Sequence, residues 1–334
     1  MKTNKPLVSI GMPVLDGEKY IRESFDSILA QTHSDFELII SDNASDDGTQ
    51  EICKSYAKRD PRIRYYRNEK NLGAARNFNR VFELSSGRYF KWAAHDDVIA
   101  PEFLERCVKE LEGDASLVLC HTRTIYIDEA GRTLGNYAIS LNRTGSLRPQ
   151  DRFGDLIRFD YWCHEVFGLI RASALAKTRL IGGFIGSDRN LLAELGLIGR
   201  FHEIPEYLFF SRDHPDRSIR AMPAPHMRRE WFDPTGKGQT VFPHWRNFIE
   251  FVKSVKRASL SRSERASCYI KMAFWFGKTW NWIRLITDLI VAVYPGFWNI
   301  FSRVRESRRK ITPPAPYSKD FKRRTKSIAG DNIS

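Results

Sequence analysis

The first half of the chain alternates short apolar runs with stretches whose apolar residues recur every three or four positions. "LVSIGMPV" (7–14) has strand length and β-branched content, and it predicts a buried strand. In "EKYIRESFDSILAQT" the residues Ile21, Phe25, Ile28 and Leu29 share one helical face. A strand at Phe36–Asp42, a helix at Thr49–Arg59, a strand at Ile63–Asn68 and a helix marked by Phe78, Val81 and Phe82 follow. "RYFKWAAHD" predicts a fourth strand, Leu104, Val108 and Leu111 a fourth helix, and "SLVLCHTRTIYID" a fifth strand. Strand and helix units repeated at this length predict an α/β domain, with a Rossmann-like, mostly parallel sheet covered by helices on both faces.

Beyond Pro149 the pattern becomes mixed. "GSDRNLLAELGLIGRF" predicts a helix and "HEIPEYLFFSRDH" a strand running into a loop. From about Asp216 the alternation stops in a Pro/Gly-rich connection, and "RNFIEFVKSVKRASL" and "SERASCYIKMAFWFGKTWNWIRLITDLIVAVY" then read as helices. The expected organisation is an α/β body at 1–215, a connection at 216–245, a C-terminal helical extension at 246–310 and a disordered basic tail at 311–334.

Composition allows a sizeable core, since 42% of residues are hydrophobic and 13% aromatic, and this excludes wholesale disorder. The net charge of +13 points to anionic partners. From Phe301 onward ten Lys/Arg face three acids, so +7 of that charge sits in the tail and the body is nearly balanced. Nucleic-acid binding would rest on charge alone, and no nucleic acid is expected as a partner. Five scattered cysteines without a CxxC pair predict buried, reduced thiols in a cytoplasmic protein. The N-terminus lacks an A-x-A-like cleavage site and runs straight into strand-like sequence, so no signal peptide is expected.

Three acidic positions stand at or near strand or helix ends, where ligands of such sheets bind. Asp42 closes "FELIISD"; a turn residue is the plain alternative. Asp96 and Asp97, in "WAAHDD", are like charges side by side. One carboxylate would serve to cap the helix that follows; two suit a divalent cation. Asp188, in "IGSDRNLLAEL", has an N-cap as its alternative, with Ser187 a rival capper. No GxGxxG follows the first strand, and neither a P-loop nor a G-x-S-x-G elbow occurs, which disfavours dinucleotide dehydrogenases, P-loop NTPases and the usual α/β-hydrolases.

The segments "VSIGMPVLDGEKYIRESFDSILAQTHSDFELIISDNASDDGT" and "NEKNLGAARNFNRVFELSSGRYFKWAAHDDVIAPEFLERCVKELE", and more thinly "GSDRNLLAELGLIGRFHEIPEYLFFSRDH", resemble a family 2 glycosyltransferase with the GT-A fold. The resemblance implies inverting transfer of a sugar from a nucleotide sugar, a UDP- or dTDP-sugar, to a glycan or lipid-linked acceptor hydroxyl, with Mg²⁺ or Mn²⁺. Carried onto this chain, it places Pro13 and Val14 beside the base and ribose, and gives Asp42 the pyrimidine. Arg76 and Asp96 would contact the donor, Asp97 and His214 the metal, and Asp188 would be the catalytic base. Tyr161, Trp162, His164 and Glu165 fall where an acceptor would sit, while His121 belongs to the core. Two departures stand out: Ala94 occupies the first position of the usual D-x-D-D, and Ser187 precedes Asp188 where an acidic pair is common. A non-catalytic nucleotide- or glycan-binding module on the same fold is the alternative.

The C-terminal segment combines Trp275, Trp280, Trp282 and Trp298 with apolar and basic residues but holds no clean run of 18 apolar residues. It predicts helices lying on the inner face of the cytoplasmic membrane, with packing on the body or on a second subunit as the alternative.

Overall fold

The computed structural model of the chain describes residues 5–294, apart from 138–140, 159–160, 223 and 238–241. Among these, nine strands form one sheet: β1 (Val8–Val14), β2 (Phe36–Asp42), β3 (Ile63–Arg67), β4 (Tyr89–Trp92), β5 (Val98–Ile99), β6 (Leu117–Ile127), β7 (Thr133–Asn136), β8 (Leu169–Arg171) and β9 (Arg200–Arg212). Their order is β3-β2-β1-β4-β8-β6-β9-β5, with β7 paired to β6. The long pairings, β1 with β2 and β6 with β9, are parallel. The short β8 inserts antiparallel between β4 and β6. A mostly parallel sheet of this kind needs cover on both faces.

The helices α1 (Ile21–Leu29), α2 (Thr49–Arg59), α3 (Ala74–Glu83) and α4 (Phe103–Gly113) supply the first cover. On one side, β1 and β2 bury Val8, Ile10, Met12, Leu38 and Ile40 against Phe25 and Ile28 of α1 and Leu104 and Leu111 of α4. The alternation of β-strand side chains sends Ile39 and Phe90 to the opposite face. There they meet Val81 of α3 and the later helices α5 (Pro149–Leu156), α6 (Ala172–Leu175) and α7 (Ser187–Ile198).

The same core continues into the C-terminal helices α10 (Pro243–Arg257), α11 (Arg262–Phe276) and α12 (Thr279–Val293) through Phe251, Val255, Met272, Trp275 and Leu285. The long apolar segment is therefore two helices, broken at Gly277 and Lys278. The segment 216–245 carries α8 (Ser218–Ala221) and α9 (Pro225–Phe232). It crosses the sheet's carboxyl-end side closely enough that a Cβ on Gly73, at φ +82°, would meet the Phe232 carbonyl at 2.7 Å. No helix among the described residues is long and apolar enough to cross a membrane. The basic tail, Trp298 and residues 295–310 of the extension lie outside the described residues. All five cysteines are free and buried, and His121 is buried as well.

Candidate functional site

A cavity of about 700 Å³ opens at the carboxyl ends of β1 and β4 and is roofed by α9. Pro13, Val14, Asp96, Asp97, Trp162, His164, Asp188 and His214 all line it. Its volume falls in the roughly 300–1,000 Å³ range of small-molecule and cofactor sites.

The strand β4 stops at Trp92, earlier than the sequence pattern predicts, which leaves Asp96 and Asp97 in the loop before β5. Neither caps α4, whose N-cap is Glu102. Asp96 Oδ2 lies 2.8 Å from His214 Nε2. Asp97 Oδ1 accepts the Arg212 backbone N–H at 2.8 Å. Burial acts to raise the Asp96 carboxyl, but the His214 hydrogen bond and the charges of His95, His214 and Arg217 outweigh it and bring it down to about 2. Burial and the neighbouring Asp96 charge push Asp97 up to about 7, against Arg217, the Arg212 N–H and Lys91. Two largely buried carboxylates are thus held side by side, an arrangement that a cation relieves. The Nδ1 of His214, itself 4% exposed, has no hydrogen-bond partner among the described residues.

Asp188 sits in the first turn of α7 and is not its N-cap; Gly186 is, at φ +83°. Its Oδ1 accepts the Arg189 backbone N–H at 2.8 Å. Asp42 is fully buried outside the cavity lining. Its Oδ1 accepts the Ser45 N–H at 2.8 Å in a turn, while Oδ2 takes Tyr65 Oη at 2.7 Å and Arg67 Nη1 at 2.8 Å. Arg76 is exposed and also outside the lining; Asn77, the next residue, is buried in the cavity wall. Tyr161 lines a smaller neighbouring cavity, and Glu165 a water-sized one with His121 and His164. His164 Nε2 lies 2.9 Å from Tyr126 Oη, and burial pushes its imidazole down to about 3, so it is neutral.

Sequence reasoning missed the network behind the site. Asn77 accepts from Ser41 Oγ at 2.7 Å and from Asn68 Nδ2 at 3.0 Å, and Asn68 also donates to Asn43 Oδ1 at 3.0 Å. Lys91, fully buried in β4, donates to the Trp92 and Phe167 carbonyls, and burial lowers its ammonium to about 8. Arg212, also fully buried, joins the Asp96 carbonyl to the β6–β7 turn and to Glu23. A charge inside an apolar strand is the one signal that marks Lys91 in the sequence.

The fold is that of a GT-A-type transferase. It resembles the crystal structure of residues 1–349 of S. aureus TarS in complex with UDP, with a TM-score of 0.58 over 81% of this chain and 72% of that one. At 14% identity, that likeness speaks for the fold alone. Residues 9–178 match Glycosyl transferase family 2, and the chain belongs to that family. An uncharacterised glycosyltransferase of Methanocaldococcus jannaschii is 35% identical over 136 residues, 40% of this chain and 47% of that protein. Escherichia coli chondroitin synthase is 34% identical over 131 residues, 39% of this chain and 19% of the synthase. The chain thus spans about half or less of the length of these relatives.

Proposed function

We propose that this protein is an inverting glycosyltransferase that moves a sugar from a UDP- or dTDP-sugar to an acceptor hydroxyl on a growing or lipid-linked surface polysaccharide. The observation that carries the reading is that Asp97 and Asp188, far apart in the chain, line one cavity together with Pro13, Val14 and His214. The UDP bound by TarS, and the polysaccharide in the name of chondroitin synthase, support the donor and product classes.

In this reading the acceptor oxygen attacks the anomeric carbon of the donor as the carbon–oxygen bond to the diphosphate breaks. The bonding pair leaves with the nucleoside diphosphate, and the acceptor proton passes to the Asp188 carboxylate. One base opposite the leaving group gives a single displacement and inversion. Pro13 and Val14 border the base and ribose, and Asn43 and Asn77 line the wall beside them.

Asp97 and His214 present the oxygen and imidazole donors that Mg²⁺ or Mn²⁺ accepts, and Asp96 sits next to both. No group of three or more His, Cys, Asp or Glu among the described residues is arranged to hold a metal alone, so Asp97 and His214 would hold the cation together with oxygens of the donor diphosphate. When bound, the cation neutralises the charge that develops on the leaving diphosphate. The apolar face of α12 and the basic segment after it fit contact with the inner face of the membrane.

The test is transfer from a panel of nucleotide sugars by the full chain, with Mn²⁺ or with EDTA. Asp188→Asn is expected to lose about a thousandfold in turnover while keeping its affinity for UDP. Wild-type turnover in that variant would remove Asp188 from its role. UDP binding without turnover on any donor by the wild type would instead favour a binding module.

A further inference from the structure

The side of the site that carries Asp188 is built from helices outside residues 9–178 that match the family: α7, α10 and α12. Asp188 lies two residues after Gly186, whose left-handed backbone turns the chain into α7. A second cavity, of about 240 Å³, adjoins the large one, and Asp188 lines both. Ile185, Gly186 and Asn247 stand beside it in the wall of the smaller one.

Asn247 of α10 is buried, and its carboxamide is engaged at both ends. Nδ2 donates to the Ile185 carbonyl at 2.7 Å and to the Pro243 carbonyl at 2.6 Å, while Oδ1 accepts from Asn190 Nδ2 at 2.5 Å. Ile185 precedes the Gly186 turn and Asn190 follows Asp188, so one side chain grips the start of α7 on both sides of the carboxylate. A carboxamide suits this place because it offers two N–H donors and an acceptor on one short stem.

The helix α10 is itself held from α12. Its N-cap is Phe242, which has no side-chain acceptor, and Pro243 follows with no N–H to offer. The next two backbone N–H groups, of His244 and Trp245, donate to Asp288 Oδ2 at 2.7 and 3.1 Å. Asp288 Oδ1 lies 2.7 Å from His244 Nδ1. A buried carboxylate of α12 thus supplies the cap that α10 lacks in its own sequence, at the positive end of the helix dipole.

We propose that Asn247 is a positioning residue for Asp188 and that Asp288 positions Asn247 in turn, so that the C-terminal helices set the geometry of the base. The inference rests on the reading of Asp188 as the base. Misplacing a reacting group by about 1 Å can cost on the order of a hundredfold in rate. Donor binding, assigned to Pro13, Val14, Asp97 and His214, draws on other elements.

The experiment measures steady-state transfer by the full chain and UDP binding on the same preparations. Asn247→Ala and Asp288→Ala are each expected to lower kcat tenfold or more, with donor KM and UDP affinity within about twofold of wild type. Because the two residues act along one line, the double variant is expected to be no slower than the slower single one, whereas independent damage would multiply. Asp288→Asn, which keeps an acceptor for the helix N–H groups, is expected to recover part of kcat. If Asn247→Ala fails to fold, the isosteric Asn247→Asp, whose carboxylate cannot donate to the Ile185 carbonyl, takes its place. An unchanged kcat in either folded single variant, or losses that multiply in the double one, overturns the inference, while lost turnover in Asp188→Asn keeps the base reading standing. Wild-type turnover in Asp188→Asn would instead overturn the base reading, and this inference with it.

Discussion

Arg212 closes β9 with its side chain fully buried, and its hydrogen bonds tie together three stretches that are distant in sequence. Nε donates to the Asp96 carbonyl at 2.9 Å, Nη1 to the Asp128 and Glu129 carbonyls at 3.0 and 3.1 Å, and Nη2 pairs with Glu23. The guanidinium thus positions the loop that carries Asp96 and Asp97, the proposed metal side, without lining the cavity itself. Arg212→Met strands three carbonyls, while half-exposed Glu23 recovers water. A loss of about 2–4 kcal/mol in stability is expected. The mark of a positioning role is a raised Mn²⁺ requirement, partly rescued by Arg212→Lys; an unchanged requirement in a folded variant would leave Arg212 purely structural. Glu165 supplies a different test. It is 1% exposed, neither oxygen has a hydrogen-bond partner among the described residues, and burial raises its carboxyl from 4.5 to about 7. A raised carboxyl stabilises the fold fully below pH 4.5 and loses that contribution as pH rises to about 7. Glu165→Gln is therefore expected to leave stability unchanged at pH 4.5 and to raise it by at most about 3 kcal/mol at pH 8. Denaturant titrations at the two pH values check this; equal effects at both would contradict the buried, protonated carboxyl.

Elements with a strong period were legible from sequence, because burial on one face leaves a pattern that local residues alone display. The bounds of β2 and α2 coincide with those the periodicity predicts. Elements made by tertiary context were not legible. The strands β5 and β8, two and three residues long, exist only because β9, β4 and β6 lie beside them. The helices α8 and α9 were hidden in a Pro/Gly-rich stretch, where Pro225 opens a helix instead of ending one. The site divides in the same way. Asp96, Asp97 and Asp188 were visible as acids at element ends, whereas Asn77 and Arg212 acquire their meaning from partners dozens of positions away. The start of α7 shows how tightly an element can be tied to the chemistry. Gly186 holds a left-handed conformation two residues before Asp188, and an added Cβ would meet the Asn247 side chain at 2.8 Å. Gly186→Ala is expected to cost about 1–3 kcal/mol and to lower kcat more than it raises the donor KM. Denaturation and steady-state kinetics on one preparation separate the two effects, and an unperturbed kcat would uncouple the helix start from the proposed base.

At the scale of the whole molecule, the C-terminal helices do two things at once. Their inner faces complete the core through Phe251, Met272 and Leu285, while Trp282, Ile286, Leu289 and Val293 of α12 remain 41–70% exposed. Spacings of four, three and four residues place these four side chains on a single stripe. Phe274 of α11, 70% exposed, adds a further apolar group outside the core. Further along, the chain becomes strongly basic, with ten Lys/Arg from Phe301 onward. An apolar stripe followed by cations suits an anionic bilayer better than a second copy of the chain, whose own tail would bring like charge. Burying such side chains contributes about 1.5–3 kcal/mol each when complete, and each cation near an anionic surface adds about 1 kcal/mol. The full chain is therefore expected to float with phosphatidylglycerol vesicles and not with phosphatidylcholine. Ile286→Ser with Leu289→Ser and Val293→Ser should weaken flotation at least tenfold, and raised salt should weaken it further. Sedimentation of the same preparations without lipid supplies the opposing outcome. A wild-type dimer that the three substitutions convert to monomer, with no lipid dependence, would assign the stripe to self-association and remove the membrane from the account.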